Sequence, residues 1–337
     1  MNLLEVEALS KSFPLRGGPL GLRRATLQAV NGVSFALAPG EVLGLVGESG
    51  SGKSTLGRCV LRLIEPSNGG VRFDGVEITG LGTADLRRLR RRMQIVFQDP
   101  YASLDPRRTV RATLAQARSI HGLDTSDAGL VETLEQVGLG KQHLGRFAHE
   151  FSGGQRQRIG IARALAVGPD FIVADEPVSA LDVSIQAQIV NLLADLKAEL
   201  NLAMLFIGHD LAVIEHVSDR VMVLYLGRVM EIAPVAQIYS APLHPYTRAL
   251  LSAAPRIGGR IGGRIDGRIG AGIGGRIILR GEQPSPAKPP SGCVFRTRCA
   301  HAVPDCAATP PPLTATGPGH LTACIRDDLP IWNGPGA

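Results

Sequence analysis

Gly47-Glu48-Ser49-Gly50-Ser51-Gly52-Lys53-Ser54-Thr55 is the stretch that decides the fold. It fits the pattern G-x-x-x-x-G-K-[S/T]. The apolar run Val42–Val46 precedes it, and a helical pattern, Ser54–Ile64, follows it. This strand–loop–helix setting is what the pattern requires. Backbone N–H groups of a glycine-rich loop at a helix N-terminus wrap phosphate oxygens. Lys53 is then placed to reach the β- and γ-phosphates, and the Ser54 hydroxyl to ligate Mg²⁺.

A second stretch sets the chemistry. Phe171-Ile-Val-Ala-Asp175-Glu176 is an apolar strand ending in two carboxylates. Asp175 is placed to hold Mg²⁺. Glu176, one residue on, can face the γ-phosphate and polarise an attacking water. Phosphoryl transfer needs positioning and charge neutralisation more than covalent help.

Around these two stretches, residues 1–255 alternate short apolar runs with helical patterns, which implies βα units and a mainly parallel sheet. The expected strands are Val42–Val46, Gln94–Phe97, Phe171–Ala174, Ala203–Ile207 and Val221–Tyr225. Between Leu104 and Phe147 the pattern is helical, so a helical subdomain over about 100–165 is expected inside an α/β domain. Residues 256–281 repeat Arg-Ile at 256, 260, 264 and 268, and ten glycines there speak against a helix or strand. This segment reads as a flexible linker. Residues 282–337 form a separate C-terminal extension.

Composition narrows the function. The chain has 337 residues, with 36 Lys and Arg against 30 Asp and Glu. Residues 256–281 hold six Arg and one Asp, so five of the six net positive charges lie there. The remainder is close to neutral, which excludes the basic footprint of a nucleic-acid binder. Arg87–Arg92 is a charge run read first as a solvated helix face, and second as a contact for lipid headgroups or a membrane protein. No apolar run reaches the roughly 18 residues of a membrane helix. Met1–Ser10 carries Glu5 and Glu7 and lacks a signal peptide's basic start and apolar middle. A cytoplasmic protein that sits against a membrane protein is expected. Cys59 stands alone on the helix after the phosphate loop and reads as a small core residue. Cys293, Cys299, Cys306 and Cys324 cluster, with five, six and seventeen residues between them. That spacing is not the paired C-x₂-C of a zinc ribbon. Thiolates suit zinc and iron–sulfur alike, and free thiols remain a third reading.

Phe151-Ser152-Gly153-Gly154-Gln155 precedes a helical stretch, Arg156–Val167, and resembles the signature sequence of ABC ATPases, with Phe151 in place of the more common Leu. Other elements resembling that family follow its order. Gln98 in Phe97-Gln98-Asp99-Pro100 resembles the Q-loop. Ser179-Ala180-Leu181-Asp182 resembles the D-loop, and His209 the switch histidine. Phe13 sits where the family places an aromatic ring against adenine. The resemblance implies a P-loop ABC nucleotide-binding domain that binds ATP through Phe13 and residues 47–55, and Mg²⁺ through Ser54, Gln98 and Asp175. It assigns catalysis to Glu176, His209, Gln98 and Lys53. It also implies a head-to-tail dimer in which Ser152, Gly153, Gly154 and Gln155 serve the partner's ATP, and assigns Asp182 to the D-loop. ATP closes such a sandwich and hydrolysis opens it.

His244-Pro245-Tyr246-Thr247-Arg248-Ala249-Leu250-Leu251 and the segment Pro284–Cys324 resemble the C-terminal region of oligopeptide and dipeptide importer ATPases. That resemblance implies two transmembrane permease subunits, a second homologous ATPase in a heterodimer and an extracytoplasmic solute-binding protein. It places the chain peripherally on the cytoplasmic face of the membrane. The helical region after Gln98 is then the dock for the permeases. The same resemblance favours a [4Fe–4S] cluster on Cys293, Cys299, Cys306 and Cys324. Nickel, glutathione or another small solute is the alternative cargo. A soluble ABC ATPase acting on DNA or ribosomes fits less well, because the chain has one phosphate loop and one signature.

Overall fold

The computed structural model describes residues 2–17, 23–253, 256–257, 260–261, 264–265, 269–270, 277–279, 281–330 and 332. In chain order, the chain opens with strands Leu4–Gly17 (β1), Arg23–Leu37 (β2) and Val42–Val46 (β3), helix Lys53–Val60 (α1), and strands Asn68–Phe73 (β4) and Val76–Glu77 (β5). Helix Thr83–Arg90 (α2) and strand Met93–Val96 (β6) follow, then helices Pro100–Ser103 (α3), Val110–Ser119 (α4), Asp127–Glu135 (α5) and Gly153–Leu165 (α6). Next come strand Phe171–Asp175 (β7), helix Val183–Leu200 (α7), strand Ala203–Ile207 (β8), helix Leu211–Val217 (α8), strands Arg220–Tyr225 (β9) and Arg228–Pro234 (β10), and helices Val235–Ser240 (α9) and Pro245–Ala253 (α10).

The main sheet runs β9–β3–β8–β7–β6 with every one of these pairs parallel. Both of its faces are covered. Leu43 and Leu45 join one apolar cluster with Leu56, Cys59 and Phe73, whereas Val42 and Val46 join another with Ile161, Leu193 and Tyr225. Strand side chains alternate faces, so a sheet buried on both sides demands unbroken apolar runs. That is why β3, β7, β8 and β9 are readable in the sequence, whereas β6, at the sheet edge, carries Gln94 and is half-buried at its centre. Strand ends shift slightly: β6 starts at Met93, β7 reaches Asp175 and β9 starts at Arg220.

A second, antiparallel sheet, β2–β1–β4–β5, has no counterpart among the expected strands. Its pairing is broken by register shifts at Val6/Leu9, Leu9/Lys11 and Lys11/Ser12. Each shift disrupts the alternation on which a sequence reading depends. Two helices also differ in extent from the reading. α1 ends at Val60, and Arg62 turns the chain at φ 50°. α6 begins at Gly153, because Ser152 caps it.

Within the repeat, read from the sequence as a flexible linker, four two-residue strands are described. Arg256–Ile257 (β11) pairs with Ile269–Gly270 (β14), and Arg260–Ile261 (β12) with Arg264–Ile265 (β13). The β-branched Ile in each repeat favours extended backbone, which outweighs the glycine content over two-residue ladders. Further on, Thr314–Gly317 (β15) and His320–Thr322 (β16) extend the main sheet through β10. The extension is thereby hydrogen-bonded into the same sheet as the phosphate loop. Its anchor is Glu231, fully buried on β10, which pairs with His320 Nε2 at 2.7 Å and accepts the backbone N–H groups of Leu243 and His244. Burial opposes the charge on Glu231, yet hydrogen bonds from His320 and these amides keep its carboxyl below the ordinary range. Among the described residues, no helix is long and apolar enough to cross a membrane.

Candidate active site

The C-terminal ends of parallel strands are where ligands bind in such sheets. Residues 47–52 follow β3, Gln98 follows β6, Glu176 follows β7 and His209 follows β8. Close backbone approach dictates the loop's glycines. A Cβ on Gly47 would lie 2.1 Å from the Leu224 carbonyl oxygen, and one on Gly52, at φ 103°, 2.0 Å from that of Ala29. Ala29 is on β2, so the antiparallel sheet props the loop from outside. Phe13 pairs with Leu27 on that same hairpin, and Lys11 Nζ lies 5.0 Å from its ring centre.

Lys53 is buried, and its Nζ donates to the carbonyls of Gly47 (2.8 Å) and Glu48 (3.0 Å). Burial lowers its pKa, while Glu176, Asp175 and Glu48 pull it back up. The Ser54 hydroxyl donates to Asp175 Oδ1 at 2.7 Å, and Arg58 reaches Asp175 Oδ2 at 3.5 Å. Asp175 is itself buried. Among the described residues, the buried Ser51 hydroxyl has no hydrogen-bond partner.

Glu176 has φ 47°, rare for a residue with a side chain. Its N–H donates to Ile207 O at 3.0 Å and its carbonyl accepts the Ser179 N–H and hydroxyl, which hold it there. Strain of this kind collects at functional positions. Its carboxylate accepts Gln98 Nε2 at 3.0 Å and lies 3.4 Å from His209 Nδ1. Gln98 and His209, distant in sequence, meet on one carboxylate. Gln98 turns its amide nitrogen to Glu176.

Ser152 caps α6 in a reciprocal box with Gln155: its hydroxyl accepts the Gln155 N–H at 3.3 Å, and Gln155 Oε1 accepts its N–H at 3.1 Å. A Cβ on Gly154 would meet Ile185 Cγ2 at 2.5 Å, and one on Gly153 would meet Leu181 Cδ2 at 3.4 Å. The start of α6 thus lies against the start of α7, whose N-cap is Asp182. This group stands at a helix N-terminus.

All four C-terminal cysteines are free thiols. Burial raises Cys293, Cys299 (to about 11) and Cys324, and the neighbouring cysteines add to each. They neighbour one another, yet among the described residues no group of three or more His, Cys, Asp or Glu side chains is arranged to hold a metal ion. Cys59 is fully buried in the core, its thiol raised to about 11 by burial. The Arg run divides: Arg87 and Arg88 are exposed, while Arg90 donates to Arg62 O and Arg92 pairs with Asp74 and Asp170.

Three residues near the loop had no role in the sequence reading. Arg58 pairs with Asp175. Tyr246 Oη accepts the Glu48 N–H at 2.9 Å. Arg298 Nη1 donates to both Glu48 carboxylate oxygens, at 3.0 and 2.7 Å. Arg298 lies 250 residues from Glu48, beyond any local pattern.

The phosphate loop, the paired carboxylates and the capped α6 turn define an ATP-binding cassette, and the comparisons agree. Residues 30–179 match the family model "ABC transporter", and residues 230–306 match "Oligopeptide/dipeptide transporter, C-terminal region". The chain belongs to the ABC transporter family, as one of its ATP-binding, ATP-hydrolysing subunits. It is 57% identical over 330 residues to the "Putative peptide import ATP-binding protein" of Brucella ovis, covering 97% of this chain and 98% of that one. It is 49% identical over 327 residues to the oligopeptide transport ATP-binding protein AppF of Bacillus subtilis, covering 96% and 97%. Among solved structures, cbiO1 of Clostridium perfringens, part of the cbiONQ transporter complex, superimposes with TM-score 0.61 at 26% identity, covering 71% of this chain and 90% of that one. The dimeric cassette MJ0796 in a post-hydrolysis state with ADP and phosphate also gives TM-score 0.61, at 27% identity, covering 69% and 98%.

Proposed function

We propose that this chain is the ATP-hydrolysing motor of an importer for dipeptides and oligopeptides. The observation that carries the cargo class is the match of residues 230–306 to the oligopeptide/dipeptide transporter C-terminal region, in a segment built into the same sheet as the nucleotide site. Relatives named for peptide import at 49–57% identity support it.

ATP phosphates lie in the loop 47–55, where Lys53 exchanges its two carbonyl partners for phosphate oxygens. The buried Ser51 hydroxyl is available to them. Ser54 and Asp175, already 2.7 Å apart, are the oxygen pair that would hold Mg²⁺, with Gln98 as the third residue of the set. The ion supplies charge neutralisation on the phosphates. Glu176 orients and polarises the attacking water. His209 and Gln98 fix its carboxylate, and Phe13 faces the adenine. Ser152–Gln155 serve a second cassette's nucleotide, because a helix N-terminus suits a γ-phosphate. The relative captured as a dimer with ADP and phosphate supports this arrangement.

The second cassette is a homologous ATPase, and two permease subunits and an extracytoplasmic solute-binding protein complete the complex. The chain rests peripherally on the cytoplasmic membrane face. The permeases dock on the helical region, where a cavity of about 370 Å³ between β6, α4 and α6 is flanked by exposed Ile120. An iron–sulfur cluster on the four cysteines has less support, since among the described residues the thiols do not converge as ligands. Iron analysis and absorbance near roughly 400 nm of anaerobic protein decide it.

The test is uptake of labelled dipeptides and oligopeptides by a strain lacking this chain. Loss of uptake, restored by the wild-type chain and not by Glu176→Gln, is the expected result. Unchanged uptake moves the cargo to nickel, glutathione or another solute.

A further inference from the structure

Glu48 places a carboxylate in a loop that must receive the negative charge of phosphates. Every polar group of this residue is held by a different part of the chain. Its carbonyl accepts Lys53 Nζ, its N–H donates to Tyr246 Oη, and its side chain is gripped by Arg298. The Arg298 side chain is only 10% exposed and that of Glu48 25%, so solvent screens the pair weakly. Arg298 lies beside an aromatic cluster through Tyr225. Tyr225, Tyr246 and Phe295 are buried with ring centres 4.7–5.4 Å apart, and Arg298 Nη1 also lies 3.4 Å from Tyr225 Oη. Phe295 and Arg298 both lie between Cys293 and Cys299 of the extension.

We propose that Arg298 is a positioning residue for the nucleotide site, holding the Glu48 carboxylate away from Lys53 and neutralising it so that the loop accepts ATP. The proposal rests on the assignment of residues 47–55 as the phosphate loop. Without Arg298, Glu48 is left as an unpaired, half-buried carboxylate. Its charge acts on Lys53, whose Nζ already sits on the Glu48 carbonyl, and it would compete there with the γ-phosphate. The extension thereby sets the affinity of a site to which it contributes no direct ligand.

The predicted signature is in binding. In the full-length chain, Arg298→Met raises KM for MgATP about tenfold, within the range of measured couplings between separate groups, and leaves kcat within about twofold. Arg298→Lys keeps the charge but loses the guanidinium geometry and raises KM about threefold. Adding Glu48→Gln to Arg298→Met removes the unpaired charge, and KM falls back toward the wild-type value. A purely structural staple would behave differently. It would lower the melting temperature and the active fraction, leave KM unchanged, and gain nothing from Glu48→Gln. An unchanged KM in Arg298→Met, or a double variant as poor as the single one, overturns the proposal. Should Arg298→Met not fold, Arg298→Lys carries the test: a KM that does not rise, or a rise that Glu48→Gln does not relieve, is equally decisive. Lys53→Ala is measured alongside. If it binds MgATP like wild type, the phosphate-loop assignment fails. If it loses binding while the Arg298 variants do not, only the role of Arg298 fails.

Discussion

Lys53, Ser54, Asp175 and Glu176 could all be named from the sequence, because each sits in a short local pattern with one geometric meaning. The contacts that complete the site could not. Gln98 and His209 meet at Glu176 through three parallel strands, and neither is chemically distinctive where it stands. Resemblance pointed to them; residue chemistry alone did not. Arg58 carries no signal at all, since an Arg on a helix has many ordinary uses, and the resemblance of His244–Leu251 did not point Tyr246 toward the loop. At this scale the firmest prediction concerns Lys53. Its ammonium makes charge-assisted hydrogen bonds, worth roughly 1.5–3 kcal/mol each. Lys53→Ala should weaken MgATP binding about a hundredfold, as read by equilibrium titration. Unchanged affinity would refute its contact with phosphate.

Elements were readable where both faces of a strand are buried, and obscure where bulges interrupt alternation, as in β1 and β2. Two element contacts yield tests. α10 begins beside His244, whose Nδ1 accepts the Tyr246 N–H at 3.0 Å. Burial lowers its pKa from 6.5 to about 4, with Glu231 opposing the shift and Arg248 adding to it. Unfolded, this imidazole takes up a proton near pH 6.5; folded, it does so only near pH 4. Between those values the unfolded chain binds the extra proton, so stability falls as pH drops and the effect levels off below about 4. Denaturant melts from pH 7 to 4 should show a loss of roughly 3 kcal/mol from this group, and His244→Gln should flatten that slope. The second contact is the packing of α6 on α7. Gly154→Ala would press a methyl into Ile185 and tilt the turn that presents Ser152. Nucleotide binding to the isolated chain should persist, while ATP-driven dimerisation, followed by analytical ultracentrifugation, should weaken. An unaltered dimer would mean that α7 does not constrain that turn.

On the scale of the whole molecule, the extension belongs to the nucleotide machine. β15 and β16 prolong its sheet, Glu231 and His320 lock the seam, and Arg298 reaches the loop. None of this could be read from the sequence, because a cysteine segment beyond a glycine-rich repeat looks separable. The sheet pairing that joins them is long-range and leaves no local trace. On the proposed function, ATP is cleaved at Glu176, in the loop between β7 and α7. The direct test follows labelled ATP bound to the full-length chain, wild type against Glu176→Gln, and asks what remains bound. Glu176→Gln should retain MgATP with near-native affinity and keep it uncleaved, with turnover reduced roughly 10²- to 10⁴-fold. Release of ADP and phosphate at the wild-type rate would contradict the claim.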